Sequence, residues 1–404
     1  MGPQNHLKKG RVSQMHHGLV STRLRLFLGC PVQTPTIILS AVRGPPRRLL
    51  PMKITNVVFG LRPSVGLLVA SLTLLTGCSS RVESTAPVRE SASAPLVHAA
   101  YSEAAFTVDE NVLSVCSFNI QFLGSSAKRD NAGLAELLKG YDIVVVQELT
   151  AAPATTATQT PASRQRSAIF FREMQARGFD YVLSESDTGK TGPLPNYGTA
   201  TEWSVTFYKP GKVAPAPDLP HGFIGQPLAG NPTFDRVPYA FAFRSLSQHA
   251  DFVLVSVHLN PDKPARRKVE LAGIGAWIAH EYAGQAERDF IVLGDMNLKN
   301  AAELHADTPT NFISLNDACV PTNTNINGPM PYDHVMFNPT FTSEIDRTYG
   351  FKVVNLIDAM RPSWTGSGAY PGGPPTYMHD EFRFHYSDHH PITFRIKIPA
   401  QDDD

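Results

Sequence analysis

The segment DIVVVQEL, Asp142–Leu149, is a strand-length apolar run that ends in a carboxylate. Its four consecutive β-branched residues, Ile143–Val146, favour a β-strand. Because apolar side chains fall on both faces of the run, such a strand must be covered on both sides. We therefore predict a central strand between two layers of the protein, with Glu148 at the strand end.

Similar apolar runs alternate with segments of helical periodicity over residues 111–398. This pattern indicates a single α/β (α+β) domain whose strands are covered by helices on one side and by a second sheet on the other. The predicted helices are RDNAGLAELLKGYD, RQRSAIFFREMQARGF and ARRKVELAGIGAWIAHEYAG. The predicted strands are NVLSVCSFNI, DIVVVQEL, DYVLSES, WSVTFYK, RVPYAFAFR, ADFVLVSVHL, DFIVLGDM, YDHVMF and ITFRIKI.

Polar side chains stand at the ends of these apolar strands. Strand ends at one edge of a sheet face the same crevice, so we expect these side chains to line one site. The site is then rich in acids, amides and imidazoles. Its members are Asn119 after VCSF, Glu148 after IVVVQ, His258 after VLVSV, Asp295 and Asn297 after IVLG, and Asp388 with His389 before PITF.

This mixture of side chains suits hydrolysis of a phosphate ester. Carboxylate and amide oxygens bind Mg²⁺, and imidazoles transfer protons near neutral pH. The amide of Asn297 can orient a phosphoryl oxygen without adding negative charge. The cysteines are not clustered as in a structural zinc site. We therefore expect Mg²⁺, with Mn²⁺ as a substitute.

The amino-terminal region has the features of an export signal. In residues 52–77, Lys53 and Arg62 accompany an apolar run too short to span a membrane. Its ending, LTGC, resembles the lipobox of bacterial lipoproteins, which implies that Cys78 carries a lipid; a secretory signal without a lipid is the alternative. We expect translation to start at Met52, which leaves residues 1–51 as an untranslated or disordered extension.

The composition of the flanking segments predicts a tether and a tail. Residues 78–110 are rich in Ser, Ala and Pro and are expected to form a flexible tether, and residues 399–404 form an acidic tail. The resemblance of LTGC to a lipobox implies a protein anchored in the bacterial cell envelope. Ser79 directly follows the expected lipid-bearing cysteine. An aspartate at that position would resemble an inner-membrane retention signal, so a serine there makes the outer membrane the expected location.

The balance of charge excludes polyanion binding by bulk attraction. Residues 1–77 contain 10 of the 36 basic side chains and none of the 36 acidic ones. The remainder therefore carries 26 basic and 36 acidic side chains, a net charge of −10 with histidine neutral. A phosphate substrate must then be met by a local basic patch or a bound cation.

Besides Cys78, the expected mature protein contains two cysteines. In an oxidising compartment, a disulfide between Cys116 and Cys319 is one alternative. Cys116, however, lies within the apolar strand VLSVCSF, which favours a small buried core residue instead.

Six segments in order, SFNIQFLG, DIVVVQEL, SVHLNP, LGDMN, YDHVMF and YSDHHPI, resemble the endonuclease/exonuclease/phosphatase superfamily. The resemblance covers residues 111–398. It implies a four-layer sandwich in which two mixed, mostly antiparallel β-sheets pack face to face with helices outside. It also implies a site at one end of the sandwich.

The motifs are most similar to those of the branch that contains deoxyribonuclease I. That similarity implies two catalytic imidazoles, His258 and His389, each oriented by a carboxylate. The oriented pairs are expected to be His258 with Glu202 and His389 with Asp333. The other implied roles are the metal ligands Glu148, Asn119 and Asp388, and the residues Asp295 and Asn297 that position water, metal or phosphate.

Two further histidines adjoin the expected site. Neighbouring side chains of an extended segment point to opposite faces. We therefore predict that His390, beside His389, and His334, beside Asp333, have structural roles.

The resemblance implies a monomeric hydrolase of phosphodiester bonds, with DNA as the expected substrate. Relatives that cut at abasic sites carry tyrosine in place of His258, which disfavours that activity, whereas relatives that cleave sphingomyelin or inositol phosphates keep the histidine and remain alternatives. An inactive binding domain is a further alternative. The chain lacks the arginine that deoxyribonuclease I-like enzymes place soon after Glu148. Arg266 and Arg267 are therefore expected to contact substrate phosphate instead, with Arg164 and Arg166 as less favoured candidates.

Overall fold

The structure is a computed structural model that describes residues 111–156, 158, 161–188, 202–224, 233–247, 249–284, 286–373 and 376–402. The predicted extension 1–51, signal peptide 52–77 and tether 78–110, including Cys78, lie outside the described residues. Within the described ranges, no helix combines the length and the apolar character needed to cross a bilayer.

The strands of the described residues form two mixed sheets, A and B. In chain order they are β1 (Val112–Leu123), β2 (Ile143–Leu149), β3 (Asp180–Leu183), β4 (Trp203–Tyr208), β5 (Val213–Pro215), β6 (Gly222–Phe223), β7 (Tyr239–Ser245), β8 (Asp251–His258), β9 (Phe290–Asp295), β10 (Ile313–Ser314), β11 (Asp333–Phe337), β12 (Lys352–Val353) and β13 (Ile392–Lys397).

The strand order is β12-β13-β1-β2-β4-β3 in sheet A and β10-β11-β9-β8-β7-β5 in sheet B, where β6 also pairs with β7. Each sheet contains one parallel pair among its described strands, β1 with β2 and β8 with β9. The other described pairs are antiparallel. The predicted architecture of two mixed, mostly antiparallel sheets is confirmed.

The helices of the described residues are α1 (Asn131–Leu138), α2 (Ala162–Gln175), α3 (Pro264–Gly284), α4 (Ala301–Asp307), α5 (Leu356–Ala359) and α6 (His379–His385). Apolar side chains of α1 and α2 pack on sheet A in one core cluster, and those of α3 pack on sheet B in the other. The cluster on sheet B also fills the space between the sheets. The layers therefore run helix, sheet, sheet, helix, as predicted.

Both faces of strand β2 are covered by other layers of the protein. Ile143 and Val145 belong to the core between the sheets, whereas Val144 and Val146 pack toward α1 and α2. All four side chains are fully buried. Burial on both faces is the outcome that the β-branched run predicts.

The topology brings the polar strand ends to one edge of the sandwich. Parallel neighbours end at the same edge, and an antiparallel neighbour starts at the edge where its partner ends. The strands β1, β2, β8 and β9 therefore end where β4, β11 and β13 begin. The polar residues at this edge therefore include residues at strand starts as well as at strand ends. Glu202 and Asp333 stand at the starts of β4 and β11, as Asp388 and His389 stand before the start of β13.

Two irregularities interrupt the central pair of sheet A at this edge. The register shifts between Asn119 and Leu123 in β1 and between Val146 and Leu149 in β2. Gln121, Phe122 and Glu148 have φ of 52°, 51° and 62°, in the left-handed region that side-chain-bearing residues rarely adopt. Bulges of this kind redirect side chains, and residues strained in this way concentrate at functional sites.

The two cysteines are separate in the structure. Cys116 is fully buried within β1, Cys319 is partly exposed, and both are free thiols. Burial also raises the pKa of the Cys116 thiol far above its usual range. The expectation of a buried core residue is confirmed.

Gly294 lies where β8 and β9 approach each other closely. A Cβ at this position would lie 2.2 Å from the carbonyl oxygen of Val257, and the φ of Gly294 is +132°. We expect Gly294→Ala to lower the free energy of unfolding by about 2 to 4 kcal/mol, because both the contact and the backbone conformation oppose a side chain. Unfolding in urea, monitored by circular dichroism, measures this change in the free energy of unfolding.

Gly211→Ala is the matched control, because a Cβ there has no atom within 4 Å. It should change the free energy of unfolding by less than about 0.5 kcal/mol. Equal stability of the two variants would show that β8 and β9 do not approach each other as described.

Candidate active site

His258, at the end of β8, is paired with a carboxylate from the other sheet. Its Nδ1 lies 2.9 Å from Oε2 of Glu202, which immediately precedes β4. Arg236 donates from Nε to the other oxygen of Glu202. Burial disfavours the charged imidazole, but the hydrogen-bonded carboxylate of Glu202 and the nearby Asp295 together raise the pKa of His258 above its usual value. The expected His258–Glu202 pair is present.

His389, just before β13, forms a second pair of the same kind. Its Nδ1 lies 2.8 Å from Oδ2 of Asp333, the first residue of β11. The hydroxyl of Thr322 donates to the same carboxylate oxygen over 2.6 Å. Burial again opposes the imidazolium, but Asp333 and Asp295 raise the pKa of His389 well above its usual value.

The two imidazoles meet at the carboxylate of Asp295. Its Oδ2 lies 3.6 Å from Nε2 of His258 and 3.4 Å from Nε2 of His389. Asp295 is almost completely buried, and this burial raises the pKa of its carboxyl group against the opposing effect of both imidazoles. Because Nδ1 of each ring faces a carboxylate, Nε2 is the atom of each ring that faces the shared centre.

Glu148 lies beside this centre at the bulge of β2. Its Oε1 is 3.9 Å from Nε2 of His258, and its Oε2 accepts a hydrogen bond from the backbone N–H of Phe122 at 2.9 Å. Burial raises the pKa of Glu148, and the nearby His258 offsets only part of that effect. The left-handed backbone of Glu148 thus directs its side chain into the cluster instead of along the strand.

Asn119 connects the two carboxylates. Its Nδ2 donates to Oε1 of Glu148 at 2.9 Å and to Oδ2 of Asp295 at 3.0 Å, while its Oδ1 accepts from the N–H of Gln121 at 3.0 Å. A role of Asn119 as a metal ligand, expected from the resemblance, stays a prediction. In the structure its amide nitrogen faces both carboxylates.

Asp388 approaches from the loop before β13. Its Oδ2 accepts from Nε2 of Gln121 at 2.9 Å. Its Oδ1 is buried, has no hydrogen-bond partner among the described residues, and lies 4.0 Å from Nε2 of His389. A buried carboxylate oxygen without a donor suits a cation ligand.

The geometry also defines two sets of side chains whose ligand atoms lie within 4.8 Å of one another. Both sets contain Asp295 and one imidazole, so the metal-competent region overlaps the imidazole centre. The sets are Glu148 with His258 and Asp295, and Asp295 with Asp333 and His389.

Asn297 lies two residues after Asp295 and has a left-handed φ of 52°. Its N–H donates to Oδ1 of Asp295 at 2.9 Å, and its Nδ2 donates to the carbonyl oxygen of Leu259 at 3.1 Å. These bonds tie the segment after β9 to the segment after His258. Asn297 therefore lies in the site, where its backbone supports Asp295.

The structure places Arg267 away from the site. This residue on α3 is fully buried, and its guanidinium binds Glu303 at 2.6 Å and the carbonyl oxygens of Asn260 and Pro261. Arg266 donates to the carbonyl oxygen of Thr233 at 2.7 Å. Neither lines the cavity beside Glu148 and His258. Contact of Arg267 with a substrate phosphate, expected from sequence, does not fit this burial.

Two arginines near the site were missed by the sequence analysis. Arg236 lines the cavity with Glu202 and His258 and keeps 15% of its side chain exposed. Like Asp388, it is a polar residue shortly before a strand, a signal that was available. Arg129 donates to the backbone carbonyls of β1 and of Tyr386, and burial lowers its pKa to about 10. No local pattern marks a guanidinium that binds backbone oxygens.

The structural roles predicted for the two adjoining histidines are confirmed. His390 accepts the N–H of Leu356 at its Nδ1 over 2.9 Å, and His334 contacts the hydroxyl of Ser314 at 3.0 Å. Burial lowers the pKa of each imidazole to about 4.

Solved structures similar to this chain include three proteins of low sequence identity. An endonuclease/exonuclease/phosphatase family protein from Bacteroides thetaiotaomicron has 14% identity and a TM-score of 0.46, covering 72% of this chain and 96% of that one. Truncated TDP2 from Caenorhabditis elegans has 14% identity and a TM-score of 0.45, covering 71% and 97%. A mannosyl-6-phosphatase from B. thetaiotaomicron has 14% identity and a TM-score of 0.44, covering 70% and 98%.

The comparison with curated protein sequences gave no match. The model of the Endonuclease/Exonuclease/phosphatase family matches residues 116–389. This range contains both imidazole pairs, the carboxylates Glu148 and Asp295, and Asp388. The chain therefore belongs to the endonuclease/exonuclease/phosphatase family, whose members hydrolyse phosphoric esters and typically depend on a divalent metal.

Proposed function

We propose that this protein is a metal-dependent phosphodiesterase that acts on DNA. The observation that carries the proposal is the pair of carboxylate-held imidazoles, His258 and His389, whose Nε2 atoms both approach Asp295. Hydrolysis of a diester needs a group that takes a proton from water and a group that gives a proton to the leaving oxygen. Two imidazoles at one centre supply both.

The carboxylates set the direction of proton transfer. Glu202 and Asp333 accept the Nδ1–H of their imidazoles, which fixes the tautomer and leaves Nε2 to exchange the proton. Asp295 stabilises positive charge on either ring as it forms. Arg236 neutralises part of the charge of Glu202, so that the two imidazoles differ in their surroundings. Such a difference lets one ring act as the acid and the other as the base.

The acidic side chains fit a divalent cation. Glu148 and Asp388 would hold Mg²⁺, because Oδ1 of Asp388 is buried without a donor among the described residues, and burial together with the nearby carboxylates of Glu202 and Asp388 raises the pKa of Glu148. Mn²⁺ can use the same oxygen ligands. When bound, the cation supplies Lewis-acid stabilisation of the charge that develops on the phosphoryl oxygens. Asn119 and Gln121 hold the two carboxylates in place through their amide N–H groups.

A phospholipid substrate is the second candidate, favoured by exposed apolar side chains near Asp388. The N–H of Thr324 donates to the carbonyl oxygen of Asp388, and the hydroxyl of Tyr377 donates to the carbonyl oxygen of Thr324. The neighbouring residues Ile326 and Met378 are 57% and 42% exposed. Apolar side chains at a site entrance can contact acyl chains.

A panel of substrates separates these candidates. We expect the purified protein with Mg²⁺ to hydrolyse DNA faster than RNA, sphingomyelin or inositol phosphates, and a chelator to stop the reaction because the site requires a divalent cation. Product release from each substrate is measured with and without EDTA. Intact plasmid and linear DNA together with hydrolysed phospholipid would replace the nuclease proposal with the lipid alternative.

The two imidazoles should be separately essential. We expect His258→Ala and His389→Ala each to lower the kcat for DNA by about 10²- to 10⁴-fold, because each removes one proton-transfer step. Steady-state kinetics measures the loss, and thermal unfolding monitors the fold. The matched control is His305→Ala, since His305 is two-thirds exposed and forms only a surface pair with Asp317.

Wild-type turnover in either active-site variant would remove that histidine from the mechanism. If both variants match the wild type in every hydrolysis assay, the domain is a binding protein on a hydrolase scaffold.

A further inference from the structure

Phe122 is a large aromatic residue held at the site with half of its surface exposed. It belongs to the bulge of β1 and has a φ of 51°, directly after Gln121 with a φ of 52°. Exposure of an aromatic ring and a left-handed backbone both disfavour phenylalanine on grounds of stability alone. The combination points to a function for the exposed ring.

The backbone of this bulge is fastened to the acidic cluster on both sides. The N–H of Phe122 donates to Oε2 of Glu148 at 2.9 Å, and the side chain of Gln121 donates to Oδ2 of Asp388 at 2.9 Å. The ring of Phe122 therefore projects from a point one hydrogen bond away from a carboxylate of the catalytic cluster. The exposed ring is therefore carried by the same bulge that contacts both expected metal-binding carboxylates.

Cationic and hydroxyl groups lie close to Phe122 along the chain and in space. Arg166 on α2 donates from Nε to the carbonyl oxygen of Gly124 at 2.6 Å, and its terminal nitrogens have no hydrogen-bond partner among the described residues. Ser125 donates its N–H to the carbonyl oxygen of Phe122 and shares a hydroxyl contact with Thr150. Cationic and hydroxyl groups beside the bulge that carries Phe122 suit a nucleotide better than an acyl chain.

We infer that Phe122 stacks on an unpaired nucleobase next to the scissile phosphate, with Arg166 contacting the phosphate backbone of the same strand. This inference rests on the proposed nuclease function and adds a substrate class to it, single-stranded DNA. Aromatic rings bind single strands by stacking on base faces, and neighbouring cations follow the backbone. The arrangement contains both components.

The requirement for an unpaired base follows from the physics of the duplex. Each base within a duplex is already stacked on its neighbours, so a protein ring can stack on it only after the base leaves the helix, at a cost of a few kcal/mol. A single strand offers its base faces at lower cost. The protein therefore cleaves single-stranded DNA with a higher kcat/KM than duplex DNA of the same sequence.

The test compares a substrate that has bases with one that has none. The ratio of kcat/KM for a single-stranded oligonucleotide to kcat/KM for methyl p-nitrophenyl phosphate is measured with Mg²⁺. Phe122→Ala lowers this ratio on the order of 10-fold, the effect of losing one base stack. Phe122→Tyr retains the ring and the ratio. Phe122→Leu keeps an apolar side chain and lowers the ratio, and it replaces Phe122→Ala if that variant does not fold.

A second readout does not depend on catalysis. Fluorescence anisotropy of a labelled oligothymidylate is measured in EDTA, where Phe122→Ala weakens binding and Phe122→Tyr does not. The matched control is Leu246→Ala, an exposed apolar residue in the turn that precedes β8, at the end of that strand opposite His258. It keeps the wild-type ratio and binding.

Three results overturn the inference while leaving the nuclease function intact. They are an unchanged ratio in Phe122→Ala or Phe122→Leu, an equal loss in Phe122→Tyr, and a wild-type preference for duplex DNA. Hydrolysis of phospholipid vesicles by the wild type without hydrolysis of any DNA overturns the proposed function and the inference together.

Discussion

The carboxylate of Asp295 is a buried negative charge that the site must compensate. Its neighbours do so with Nε2 of His258 and of His389, the amide nitrogen of Asn119 and the N–H of Asn297. A buried carboxylate without such partners would be protonated or would destabilise the fold. The same interactions hold two imidazoles at one point, so charge compensation and catalytic geometry share one cause.

This arrangement depends on the two parallel pairs at the centres of the sheets. Because β8 and β9 run in parallel with His258 opposite Asp295, the imidazole and the carboxylate reach the edge together. The antiparallel neighbour β11 then starts with Asp333 opposite Asp295. Sheet A contributes Glu148 through a bulge whose strained backbone a regular strand would not need. Strain at this edge is consistent with selection for the site instead of for stability.

Most of the fold could be predicted from residue periodicity, because its long strands are covered on both faces and its three long helices have apolar stripes. The two- and three-residue edge strands β5, β6, β10 and β12 and the short helices α4, α5 and α6 were missed, since so few residues carry no period. The imidazole pairs required the family resemblance, because Glu202 lies 56 residues from His258 in sequence. Arg267 was misjudged because a basic pair on a helix does not reveal which member faces the core.

The proposed mechanism depends on a divalent cation held by Glu148 and Asp388 beside two imidazoles. Anomalous scattering from crystals soaked in MnCl₂ tests this arrangement most directly, with the Glu148→Gln variant soaked in parallel. We expect a manganese peak in contact with carboxylate oxygens of Glu148 and Asp388 in the wild type, and a weaker peak or none in the variant. Manganese bound only at other residues, or an equal peak in both crystals, would contradict it.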